Sequence, residues 1–205
     1  MTPVGAPQDA HTPVPTSRPA GRQRVAGVLQ RHGGVAVLAL FSVVAALRFP
    51  AFGTMDNVHN VAIQSAFLAI VALGMTFVII SGGIDLSVGS VFALGGVLAA
   101  YGSTYGVVVA FVLPLVVCGA IGLVNGLLVA RAGMPPFIVT LASLLGARGL
   151  LLAITSEGAT TFLVPDGSLF GLIGQGAFLG FGYPVWIAGA LVLVGSTVLQ
   201  RTRVG

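Results

Sequence analysis

The chain alternates long apolar stretches with short polar breaks. Its charged residues leave uncharged runs over 57–84, 86–130, 132–147 and 167–200. A helix crosses a bilayer with about 20 apolar residues, so the run 86–130 is long enough for two crossings. Tyr101-Gly-Ser-Thr-Tyr-Gly106 supplies the turn between them. Helix starts and stops read from proline, glycine and polar caps predict spans near 33–52, 60–81, 86–101, 106–130, 137–156 and 183–200. The third is short for a full crossing unless neighbouring helices bury part of it. The expected fold class is an all-α integral membrane protein, a polytopic helix bundle of about six spans. Residues 1–32 read differently: five of the eleven prolines (Pro3, Pro7, Pro13, Pro15, Pro19) fall there, followed by Arg18, Arg22, Arg24 and Arg31. Such a stretch cannot bury enough apolar surface to fold. The expected organisation is a disordered tail over 1–32 and a transmembrane domain over 33–205. Val35 to Leu47 has the length of a signal-peptide core, but the polar region before it is too long and the apolar run continues through Phe49–Phe52. A retained first span is therefore expected.

Composition strengthens the membrane reading and removes other classes. Of 205 residues, 56% are hydrophobic and 7% charged, against about one quarter charged in soluble domains. This excludes a soluble enzyme or a disordered linker. The nine arginines are scattered and build no basic face, so no nucleic-acid partner is expected. One cysteine, Cys118, offers neither a disulfide framework nor a cysteine metal site. There is no lysine, and a P-loop needs its Gly-Lys-Ser/Thr to hold phosphates. Any ATP-driven work must then draw on another chain.

The arginines also predict orientation. With the tail in the cytoplasm and sides alternating, Arg18, Arg22, Arg24, Arg31, Arg131, Arg201 and Arg203 lie inside, while Asp56, Glu157 and Asp166 lie outside with Arg48 near that boundary. This is the positive-inside pattern. Tyr101, Tyr105, Tyr183 and Trp186, all the Tyr and Trp of the chain, fall at the expected outer interface, where amphipathic rings belong. Both termini are expected to be cytoplasmic.

Few residues within the spans can carry chemistry. Asp85 and Arg148 are the ionisable groups there, and His11, His32 and His59 lie in the tail or at span ends. This disfavours a self-sufficient proton-coupled carrier and a membrane enzyme; no catalytic residue, metal site or cofactor is expected. In Ser81-Gly-Gly-Ile-Asp-Leu-Ser-Val-Gly-Ser90, Gly82 and Gly83 end the second span and Asp85 stands where the next helix starts. Its carboxylate is placed either as a simple N-cap, accepting free N–H groups of the first turn, or as part of a helix break that shapes a pathway. Gly122-Leu-Val-Asn-Gly126 is a G-x-x-x-G pair. It can bring helices close, with Asn125 as helix-to-helix glue, or Asn125 can line a pathway. Pro135-Pro136 marks an inner turn, because one proline suits a first helical turn and neither suits an interior. Arg148, in the outer half of the fifth span, either snorkels outward or pairs with Glu157 or a pathway group.

The segment Leu73-Gly-Met-Thr-Phe-Val-Ile-Ile-Ser-Gly-Gly-Ile-Asp-Leu-Ser-Val-Gly-Ser90, which includes Gly89, closely resembles the signature of the ribose-type permeases of bacterial ABC importers. Gly122–Ala130, Pro135-Pro-Phe-Ile-Val-Thr-Leu141 and Arg148-Gly-Leu150 follow in that family's order, so the resemblance covers roughly residues 57–155. It implies a multi-pass channel subunit of the bacterial cytoplasmic membrane that works with a second permease subunit as a dimer. It further implies a cytoplasmic ABC ATPase and a periplasmic or lipid-anchored sugar-binding protein as partners, with monosaccharides as cargo. Branched-chain amino acid permeases share a related fold, but Ile84-Asp85-Leu86-Ser87 favours the sugar branch. Phe77, Asp85, Ser87, Asn125 and Thr140 are the candidates for lining or supporting the pathway. Full-length members run to about three hundred residues, so the resemblance leads one to expect a truncated permease fold, its coupling loop missing after Arg201-Thr-Arg-Val-Gly205 and its ATP-driven uptake lost. A structural membrane subunit without transport is the alternative.

Overall fold

The computed structural model describes residues 20–201, with side chains from 33 to 201. In chain order the elements are α1 (Ala20–Arg48), α2 (Met55–Ile80), α3 (Val88–Ser103), α4 (Val107–Ala130), α5 (Pro136–Ile154), a short α6 (Leu169–Gln175), β1 (Ala177–Phe178), β2 (Phe181–Gly182) and α7 (Tyr183–Arg201). The all-α class holds, with one two-residue antiparallel hairpin as its only described strands. Four helices, α2, α4, α5 and α7, are long and apolar enough to cross a membrane. Gly33–Arg48 of α1 and all of α3 are apolar but shorter. The 16 residues of α3 rise about 24 Å, less than the roughly 30 Å of a hydrocarbon core.

Residues up to Thr54 form one unit and those from Met55 a second. In the first, α1 begins at Ala20, directly after the last proline of the tail, so the boundary expected at residue 32 falls inside this helix. Residues 1–19 of the expected disordered tail lie outside the described residues. The helix stops at Arg48, and Phe49 still donates to the Ala45 carbonyl at 2.8 Å. Pro50 disfavours helical geometry at Phe49 and breaks the ladder, so Phe49–Phe52 form turns rather than the end of a span.

The second unit is built on α3. Leu94, with no exposed surface, packs with Leu98 of the same helix and Ala147 of α5, and Leu113, Val117 and Ile121 of α4 close over them. The α3–α4 turn falls at Thr104–Gly106, where Gly106 has φ +118°, as the Tyr101–Gly106 segment predicts. Gly102 lets the two backbones meet, since a Cβ on it would lie 2.8 Å from the Val109 carbonyl oxygen. Separately, α2 packs along α7. A Cβ on Gly182 would press on Ile63 and one on Gly195 on Leu73. The contacts advance in the same direction along both helices, so α2 and α7 run parallel, as alternating spans two and six should. Outward faces carry large apolar side chains, Leu115, Leu145 and Leu193 among them. A soluble fold would not display such faces, and in a bilayer they are solvated by hydrocarbon.

Candidate functional site

The helix break between α2 and α3 is built from hydrogen bonds within residues 77–91. Gly82 adopts φ +77°; its N–H returns to the Ile79 carbonyl at 2.9 Å, and that of Gly83 to the Val78 carbonyl at 3.0 Å. This paired closure is a Schellman motif, and the left-handed position explains a glycine at 82. The chain then runs without regular structure to Ser87.

Here the structure corrects the capping expectation. Ser87, not Asp85, is the N-cap, and α3 starts at Val88 rather than 86. Asp85 stands two residues earlier. Its Oδ1 accepts the Ser87 N–H at 2.7 Å and the Ser87 hydroxyl at 2.6 Å. This short side-chain turn competes with helix and delays the first turn. The carboxylate therefore holds the entry to α3 through Ser87, which is buried.

Two further polar contacts tie the break to α4 and α5. The Thr140 hydroxyl lies 2.9 Å from the Pro136 carbonyl and 3.3 Å from that of Ile84, joining the first turns of α5 to the break. Ser143 donates to Oδ1 of Asn125 at 2.5 Å, linking α5 to α4. Thr140 and Asn125 are both buried. Ser143 was not a candidate on sequence, although its spacing of three from Thr140 already placed both on one face of α5.

These groups surround two adjoining clefts. One, about 330 Å³, is lined by Ser81, Gly82, Gly83, Asp85, Asn125 and Thr140, among others. The second, about 240 Å³, is lined by Asp85, Ser87 and Asn125 together with apolar residues of α2, α3 and α4. Asp85, Gly122 and Asn125 border both. The larger falls at the small end of ordinary small-molecule sites, roughly 300–1,000 Å³. No Arg or His lines either cleft.

Other expected residues fall differently. Gly122 and Gly126 face open space where a Cβ would meet nothing within 4 Å, so among the described residues they border clefts instead of bringing helices close. Phe77 is half-buried in the last turn of α2 and lines neither cleft. Gly89, in the first turn of α3, also lies outside them. Pro135 is the N-cap of α5 and Pro136 its first residue, as the turn reading requires. Arg148 is exposed on α5, away from both clefts. Among the described residues no three His, Cys, Asp or Glu gather as a metal-binding group.

A set of aromatic ring pairs lies at the opposite end of the helices. Tyr101 meets Tyr105 and Phe162, Phe111 meets Phe170, Phe178 meets Trp186, and His59 meets Phe181, all edge to face. Tyr183 lies over Gly176, where any Cβ would collide with its ring.

Comparison with known proteins finds similarity to membrane permeases. The chain is 38% identical over 183 residues to the ribose import permease protein of Escherichia coli (strain K12), covering 88% of this chain and 57% of that protein. It is 36% identical over 181 residues to the ribose import permease protein of Bacillus subtilis (strain 168), covering 87% and 56%. It is 34% identical over 180 residues to the L-arabinose ABC transporter permease protein of Azospirillum brasilense, covering 87% and 52%. The chain thus spans about half the length of the curated relatives it matches. No solved structure shows a significant match. A family model described as the permease component of branched-chain amino acid transport systems matches residues 57–205, and the chain belongs to this family of multi-pass membrane permeases, on the branch whose relatives are sugar permeases.

Proposed function

We propose that this chain forms the translocation pathway of an ATP-driven importer for a monosaccharide, with the clefts at the α2–α3 break as part of that pathway. The observation that carries the reading is the match, over nearly the whole chain, to permeases named for ribose and arabinose. The site's chemistry supports it. Asp85, Ser87, Asn125 and Thr140 offer acceptors and donors suited to hydroxyl groups, and a neutral sugar needs no counter-charge. A zwitterionic amino acid would bring a carboxylate into clefts that no cationic side chain lines. The residues present include no lysine and hence no P-loop, so nucleotide hydrolysis belongs to a cytoplasmic ABC ATPase. A periplasmic or lipid-anchored binding protein delivers the sugar, and a second permease subunit completes the pathway. The assembly sits in the bacterial inner membrane with the N-terminus inside, and switches between outward- and inward-facing states with no covalent step in this chain.

The family model's description favours a second reading, transport of branched-chain amino acids. One experiment separates the two. The complete transporter, reconstituted in vesicles with its ATPase and binding protein, is given labelled ribose, arabinose, galactose and leucine. ATP-dependent accumulation of a sugar, unaffected by excess leucine, is expected. Accumulation of leucine alone, or of nothing, would overturn the proposal.

A further inference from the structure

The connection between α5 and α7 plays no part in the clefts, yet its second half is uncharged and unusually built. It runs from Thr155 to Gly182 and ends in the β1–β2 hairpin, paired Ala177 to Gly182 and Phe178 to Phe181. Leu179 and Gly180 form its tip with φ +51° and +81°. Two successive left-handed residues make the hairpin turn for which Asn-Gly or Asp-Gly is strongly preferred. A leucine there is strained, and this one is also 73% exposed, with Phe178 beside it 57% exposed. No charged residue occurs from 167 to 200. In water the exposure of Leu179 is unfavourable.

The surroundings of the tip supply the missing solvent. Because α2 and α7 are parallel membrane helices, both start on the same side of the membrane, and α7 begins level with Ile63 of α2, on which Gly182 packs. The hairpin joins α7 without a linker, Gly182 preceding Tyr183, so its tip stays within about 10 Å of the start of α7 at roughly 3.3 Å per strand residue. It is also tied down on both sides. His59, in the first turns of α2, bonds through Nε2 to the Gly180 carbonyl, and its ring meets Phe181 edge to face. Trp186, in the first turn of α7, donates to the Phe178 carbonyl at 3.1 Å. Such anchors hold the tip flush with the span ends instead of letting it project into water.

We infer that the β1–β2 hairpin lies on the bilayer surface, with Leu179 and Phe178 among the lipid headgroups and upper acyl chains and Trp186 and Tyr183 in the same interfacial layer. Trp and Tyr rings favour that layer, and the hairpin continues it sideways from two spans. The partner is lipid. A soluble binding protein docking on the same tip is the competing occupant, and the test distinguishes them.

The full chain carrying Cys118→Ala and Leu179→Cys is labelled with an environment-sensitive fluorophore and reconstituted in phosphatidylcholine vesicles. Asp166→Cys in the same background gives a water-facing reference on the same connection. Quenching of the Leu179 probe by lipids with a nitroxide near the headgroup should be several times that of the Asp166 probe, and quenching by aqueous iodide correspondingly weaker. Equal iodide quenching at both sites would overturn the inference. So would a Leu179 probe shielded only after a sugar-binding protein is added. Leu179→Asn provides the folding control: it suits the turn, so the fluorescence of Trp186, the chain's single tryptophan, should keep its native maximum.

Discussion

Replacing Gly102 with alanine should pry α3 from α4. The added Cβ would stand 2.8 Å from the Val109 carbonyl oxygen, 3.0 Å from its carbonyl carbon and 3.1 Å from Cα of Ala110. Carbon contacts settle near 3.5–4.0 Å, so the shortfall is about 0.7 Å at the nearest atom. The opposing atoms are backbone and cannot rotate away; the helices must separate. Overpacking of this kind costs about 1–3 kcal/mol, and alanine returns about 1 kcal/mol of helix propensity. With rigid atoms on both sides, a net loss of about 1–2 kcal/mol is expected, or roughly 5–30-fold in the closed-to-open ratio. The chain carries its own reporter. Cys118, its single cysteine, is half-buried on α4 with its thiol 3.5 Å from the Val91 carbonyl of α3. In purified detergent-solubilised protein, maleimide labelling of Cys118 should accelerate by that factor in Gly102→Ala. Gly96→Ala, on the same helix but with nothing within 4 Å of its Cβ, should label no faster than the parent. Unchanged labelling in Gly102→Ala, or equal acceleration in both variants, would refute the argument from close approach.

Asp85→Leu leaves the N–H and hydroxyl of Ser87 without their acceptor and should lower thermal stability by about 1–3 kcal/mol. Asp85→Asn retains an oxygen there and should stay within about 1 kcal/mol of the parent. Uptake in the complete transporter then separates the two roles of Asp85: normal transport by Asp85→Asn marks it as structural, and lost transport at normal stability marks its charge as part of the pathway. A double-mutant cycle with Asn125→Ala and Ser143→Ala should give a coupling of about 0.6 kcal/mol, the average for hydrogen bonds between membrane helices. Strict additivity in detergent unfolding would mean that this bond does not hold α4 to α5.

Much of the fold was legible because hydrocarbon solvation acts on each segment separately. The uncharged runs, the Tyr101–Gly106 turn and Pro135-Pro136 each located a helix or an end within a few residues. Ends set by local hydrogen-bond competition were less legible. Asp85 reads either as a cap or as part of a break, and a two-residue side-chain turn gives the capping position to Ser87. Pro50 ended α1 before the apolar run did. The hairpin is not legible in the sequence because two strands of two residues leave no periodicity, and Leu-Gly is a poor turn signal.

The sequence by itself determined the solvent. Fourteen charges among 205 residues demand a bilayer, and a chain without lysine cannot build a P-loop. It also singled out the residues of the break, since glycine pairs, an acid and buried amides are costly among apolar helices. Only the tertiary structure decided how they combine. It set Asp85 and Asn125 at the border of two clefts, matched Asn125 with Ser143, turned Gly122 and Gly126 toward open space and left Phe77 and Arg148 apart. Helical periodicity gives the face on which a residue lies, but not which neighbour that face meets. That is settled by packing between segments far apart in the chain, as where Thr140 on α5 reaches the Ile84 carbonyl.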